Sequence, residues 1–201
     1  MASISLKYKS KQGNLTAPGD VDPGAMIPIA TTTVGAGGSS TITFSSIPDT
    51  YKHLQLRIIA RTDRNANDGD YLLMRFNSIS STASYYGQHY IRGNGSAVLA
   101  AADGTYTASF LERFPALNTT SSIFGVGIID ILDYTDTNKN KVWRSLAGYD
   151  GNGDVNANIR FASGMLLSTP AISSITITSG TSSNFVQYSS FALYGIKGAG
   201  A

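Results

Sequence analysis

The chain has no cysteine, two histidines and one tryptophan in 201 residues. Without cysteine there is no disulfide framework, no thiolate zinc site and no cysteine nucleophile. Charged residues make up 14% of the chain, well under the roughly 25% of ordinary soluble domains. A net charge of +2 is too small to point to nucleic acid or to an anionic membrane. No apolar run approaches the roughly 20 residues of a membrane span, so no membrane insertion is expected. The first residues, MASISLKYKSKQG, lack the apolar stretch of a secretory signal. Stability must therefore come from a packed core or from oligomerisation, and 201 residues suffice for one domain with a real core.

Ser, Thr, Gly and Asn supply the polarity that charge does not. Neutral polar groups cost less to desolvate than ions, so such surfaces pack readily against other proteins. The dominant pattern is alternation. In His53–Arg61, Leu54, Leu56, Ile58 and Ala60 share one face while His53, Gln55, Arg57 and Arg61 share the other, a half-buried strand. Tyr71–Asn77 repeats the scheme with Leu72, Met74 and Phe76 inward. Ile29–Val34 and Thr41–Ser45 flank Gly35-Ala36-Gly37-Gly38 and read as a hairpin-like pair. Thr105–Phe114, Ile123–Tyr134, Lys141–Asp150 and Asn156–Leu167 read as further strands, and Ala97–Asp103 as a long surface loop. The chain closes on a strand pair, ISSITITS and VQYSSFALYGIK. Phe191 and Leu193 on one face and Ala192, Tyr194 and Ile196 on the other suit a central strand.

About ten strands with turns between them and no convincing helix predict an all-β chain, a two-sheet jelly-roll or related β-sandwich. Its expected span is 29–201. Residues 1–28 differ: Pro18, Pro23 and Pro28 stand among glycines 13, 19 and 24, the composition of an extended N-terminal arm and linker. Its apolar residues Leu6, Tyr8, Leu15, Val21, Met26 and Ile27 are the expected anchor to a partner.

Sites of chemistry are few. Asp63–Asp70 looks like a calcium loop, but the position that demands glycine holds Asp68 and the bidentate acidic position holds Met74. Asp150–Asp154 fails in the same way, with Val155 where glycine belongs, so solvated turns are the preferred reading and no metal or cofactor is expected. No serine sits in a nucleophile elbow. Asp130 and Asp133, taken as one strand, point to opposite faces. No catalytic residue is assigned and no enzyme is expected. Tyr85, Tyr86, His89 and Tyr90 are the best candidates for contact with a ligand or receptor. Tyr51, Tyr106, Tyr149 and Trp143 are the remaining aromatics that could line a sugar-binding groove, with core packing the default for Trp143.

Two motifs point to a family. IP-x-x-Y-x-x-L-x-L (Ile47, Pro48, Tyr51, Leu54, Leu56) and F-x-L-Y-G-I-K (Phe191 to Lys197) resemble those of small virion structural proteins of tailed bacteriophages, many from marine and cyanobacterial hosts. The similarity spans roughly Ile29 to Gly198. It implies a jelly-roll-like domain on the particle surface, made in the host cytoplasm and commonly trimeric. Its partner would be the major capsid protein or another virion protein. A capsid decoration or cement protein is the favoured expectation. The alternative is a tail or fibre-tip module that binds a receptor or host surface glycan.

Overall fold

The alternation in His53–Arg61 becomes a strand whose Leu54, Leu56 and Ala60 are wholly buried, because period-two spacing puts every second side chain on one face. The computed structural model describes residues 25–66, 69–81, 85–103, 107–151 and 158–198. Among these residues there are twelve strands and no helix. They are β1 (Met26–Thr33), β2 (Thr41–Phe44), β3 (His53–Ala60), β4 (Gly69–Phe76), β5 (Tyr85–Gly93) and β6 (Val98–Asp103). The second half supplies β7 (Ser109–Pro115), β8 (Gly125–Leu132), β9 (Lys141–Tyr149), β10 (Asn158–Leu166), β11 (Ile175–Ser179) and β12 (Ser190–Ile196).

Two antiparallel sheets form a β-sandwich. The larger has eight strands in the order β1-β12-β3-β8-β9-β10-β5-β6, the smaller four in the order β2-β11-β4-β7. The closing strand is interior: β12 pairs with β1 on one side and β3 on the other. Its Phe191 and Leu193 are fully buried, and Phe191 meets Phe185 edge-on at 4.9 Å.

Three expectations change. The closing segments are not a pair with each other, since β11 lies in the small sheet and β12 in the large one. Likewise β1 and β2 belong to different sheets, so Gly35–Gly38 carries the chain across the sandwich and closes no hairpin. Ala97–Asp103 is not a loop: Val98–Asp103 is the edge strand β6, paired with β5 across Gly93-Asn94-Gly95. Gly95 takes a φ of 86° there, as a tight turn requires.

The core is where the sheets overlap. Ile58, Phe191, Gly127 and Ala147 stand in one cross-strand row on the inner face of the large sheet. The same row continues as Arg160, Arg92 and Leu99. The change from aliphatic to guanidinium marks the end of the cover: β7, the last strand of the small sheet, packs over β8, β9 and β10. Two close approaches require glycine. A Cβ at Gly164 would lie 2.6 Å from the Trp143 ring and one at Gly195 would lie 2.3 Å from Tyr51, both inside van der Waals contact.

Polar groups inside the sandwich are held by main-chain oxygens. Arg61 donates to the carbonyls of Leu117, Thr119, Thr120 and Ile123. Lys141 donates to those of Asp136, Lys139 and Thr169. Burial pushes both cations below their ordinary pKa values, so they are fasteners for loops and are not free surface charges. Ser189 is wholly buried and exchanges hydrogen bonds with the Arg61 backbone.

Candidate interaction surface

The expected contact residues do not form one site. Leu6, Tyr8, Leu15 and Val21 lie outside the described residues, whereas Met26 and Ile27 are half-buried residues of β1, opposite Ile196 and Gly195. The sheet thus takes the chain three residues before Ile29. Tyr85 and Tyr86 pair through their backbones with Leu166 and Met165, and their side chains lie outside the described set. His89 is exposed on the outer face of the large sheet. Tyr90 turns inward, with the Arg160 guanidinium 3.7 Å from its ring centre. Adjacent strand residues face opposite ways, so the side chains of His89 and Tyr90 point to opposite faces of the sheet, although both residues border one shallow groove. Trp143 and Tyr149 belong to the buried interior, Tyr51 packs against it, and Tyr106 lies outside the described residues.

Asp63 and Asp70, the two ends of the first calcium-like loop, have structural uses, and residues 152–154 of the second loop lie outside the described residues. Asp63 accepts from the backbone and side-chain N–H of Asn184. Asp70, fully buried, accepts from the hydroxyls of Ser179 and Thr181. Among the described residues no three acidic or histidine side chains converge as a metal site would need. Asp133 lies beyond the end of β8 at a φ of 45°, so it does not share a strand face with Asp130. Its hydrogen bond to Lys52, helped by Lys139, holds its carboxyl below the usual Asp range. His53 accepts the Asp133 amide through Nδ1 at 3.0 Å. One serine and one histidine, Ser163 and His89, stand side by side across β10 and β5, but the Ser163 hydroxyl donates to the Trp143 carbonyl at 3.2 Å. That hydroxyl is committed to the backbone and is not aligned on the imidazole.

Under the overhang of β5 and β6 lies a cleft of about 470 Å³ lined by Arg92, Arg113, Asn94, Asn158 and Leu99. It presents hydrogen-bond donors to whatever enters. Arg113 also stacks 4.8 Å from the ring centre of Tyr71, which fixes its position.

The outer face of the same sheet is different. One cross-strand row holds Ile59, Val126, Ile159 and Val98, with Gly148 and Gly93 between them. The next holds Ile128, Leu146, Phe161 and Ile91, with Arg57 and Ala100 at its ends. All eight apolar side chains are exposed, from 43% at Ile128 to 78% at Val98. A third row is polar: Gln55 donates to Asp130 at 2.8 Å, Arg144 donates to Asp130 at 3.0 Å, and Arg57 donates to Gln55 at 3.0 Å. His89 and Ser163 continue that row. Between rows two and three, His89, Ile91, Ala100, Phe161 and Ser163, with Tyr90 and Ala101 between them, line a shallow groove of about 410 Å³. An apolar field bordered by a polar row has the anatomy of a protein interface.

These outer residues are absent from the sequence-based site. The signal for them was present: in Ile123–Tyr134, Val126 and Ile128 are as apolar as Ile129 and Ile131. Apolar residues on both faces call for cover on both sides. No family model, curated protein or solved structure matches the chain.

Proposed function

We propose that this chain is a non-enzymatic structural protein of a bacteriophage virion, a capsid decoration or cement protein with jelly-roll topology that acts as a homotrimer. The observation that carries this is the strand order. With the hairpins β5–β6 and β9–β10 set aside, the remaining strands alternate between the two sheets from β1 to β4 and again from β7 to β12, with β4 and β7 neighbours in the small sheet. They pair as β1 with β12, β2 with β11, β3 with β8 and β4 with β7. That is one long antiparallel hairpin rolled on itself, which supports a jelly roll, an architecture recurrent in viral capsid domains. Fold alone does not assign function. The resemblance of the IP-x-x-Y-x-x-L-x-L and F-x-L-Y-G-I-K segments to phage virion proteins supplies the rest.

Residues 1–28 serve in this account as the anchor on the major capsid protein or another virion protein. The test is the composition of purified particles. Mass spectrometry and labelled-antibody microscopy should find the chain on the capsid in multiples of three, and deletion of residues 1–24 should strip it from particles while leaving the strands from Met26 onward folded. Particles that lack the chain, or full decoration by the truncated form, would contradict the account.

A tail or fibre-tip module that binds host glycan is the second reading. It needs Tyr85, Tyr86, His89 and Tyr90 on one surface, and the opposite orientations of His89 and Tyr90 weigh against it. Selective binding on a glycan array, lost on Tyr85→Ala or Tyr86→Ala, would reverse that preference.

A further inference from the structure

We infer that the two exposed apolar rows on the outer face of the eight-stranded sheet are the surface through which copies of this chain bind one another. The inference deepens the oligomeric reading above by assigning the surface.

Extent is the first reason. The eight side chains of the two rows, each left roughly half exposed, present on the order of 800 Å² of apolar surface, about what one partner contributes to a standard stable interface. The largest apolar patch on a typical monomer is only about 300–600 Å². A patch of this size left to water is a liability unless something covers it.

Shape and charge point to a second copy as the cover. The rows run straight across β8, β9, β10 and β5, and a sheet face packs best on another sheet face, about 10 Å away. Every copy brings one such face. Self-apposition is not repelled, because Arg57 is the only charged side chain in the two rows, and in the bordering row Asp130 is bonded to Arg144. The edge strand β6 adds to the argument. Its sequence VLAAAD has no proline or lysine to discourage pairing, and Val98, Leu99 and Ala100 are all exposed. The unprotected edge adjoins the apolar face, so both are covered by one neighbour. Face against face makes an isologous dimer, and edge against face makes a heterologous contact that can close a ring.

Sedimentation equilibrium of the full chain at micromolar concentration tests this, on the wild type and on Leu146→Glu, Phe161→Glu and the milder Ile159→Ser. Thr31→Glu is the control, because Thr31 is exposed on the same outer face, at the β1 end. The wild type and Thr31→Glu should sediment as two or three chains. The three row variants should weaken association by about tenfold or more while keeping the wild-type circular dichroism and cooperative melting. If a glutamate variant does not fold, Ile159→Ser carries the test. A monomeric wild type, row variants that still associate fully, or equal loss in Thr31→Glu would overturn the inference. Absence of the chain from particles would defeat the virion reading and leave this result standing. A two-chain mass would defeat only the trimer.

Discussion

At its β1–β12–β3 end the large sheet turns Thr31, Ala192, Arg57 and Gln55 outward. Toward its other end, across the central strands β8, β9 and β10, it turns Val126, Ile128, Leu146 and Phe161 outward. The inner face behind both ends is the same continuous core. Folding one copy therefore needs only the inner face, and it accounts for the outer face at the first end alone. In β3 the alternation holds from His53 to Ile58, the mark of a strand with one wet side, and breaks only at the exposed Ile59. In β8 it breaks at Val126, Ile128 and Leu132, and among the described residues no further layer covers them.

The largest effect that sharpens this contrast lies on the inner face. Phe191→Ala removes a fully buried ring and is expected to cost about 3–5 kcal/mol, read as a lowered denaturant midpoint. A loss under about 1 kcal/mol would mean that β12 is peripheral. Next come neighbours on one strand. Ile129 is fully buried and Ile128 is 43% exposed, so Ile129→Ala should cost about 2–5 kcal/mol. Ile128→Ala should cost the isolated subunit less than about 1 kcal/mol and instead weaken association. Equal costs in dilute protein would break the comparison. Ser189→Ala falls between, at about 1–3 kcal/mol, because it strands the Arg61 N–H inside the sandwich, while the Arg61 carbonyl still accepts from Val186.

The smallest effect is electrostatic. Asp133, flanked by Lys52 and Lys139, has its folded pKa below the unfolded value. Its contribution is therefore full above the unfolded pKa and is lost as pH falls through the folded one. Asp133→Asn should cost less than about 1 kcal/mol at neutral pH, and the gap from wild type should close in acid. A gap that widens in acid would contradict the assignment.

Much of the sandwich was legible in the sequence. Leu54, Leu56 and Ile58 in β3 and Leu72, Met74 and Phe76 in β4 are buried as their spacing predicts, because period two fixes which residues share a face. It does not fix which sheet a strand joins. That is why β1 with β2, and β11 with β12, read as pairs although each two lie in opposite sheets. Sheet choice is decided by partners far along the chain, such as Met26 opposite Ile196. The edge strand β6 was missed because its alanines and exposed valine lack the polar alternation of a half-buried strand. The separation of His89 from Tyr90 was available from period two alone. The fasteners Arg61 and Lys141 were not, since nothing in a lone cation announces the carbonyls that will surround it.

The outer face is the centre of the account, and the most direct measurement on it is the melting temperature as a function of protein concentration. Association of folded copies makes that temperature depend on concentration. It should rise with concentration for the wild type and for Thr31→Glu, and stay flat for Phe161→Glu. A wild-type melting temperature that does not change with concentration would contradict the claim that this face is covered by another copy.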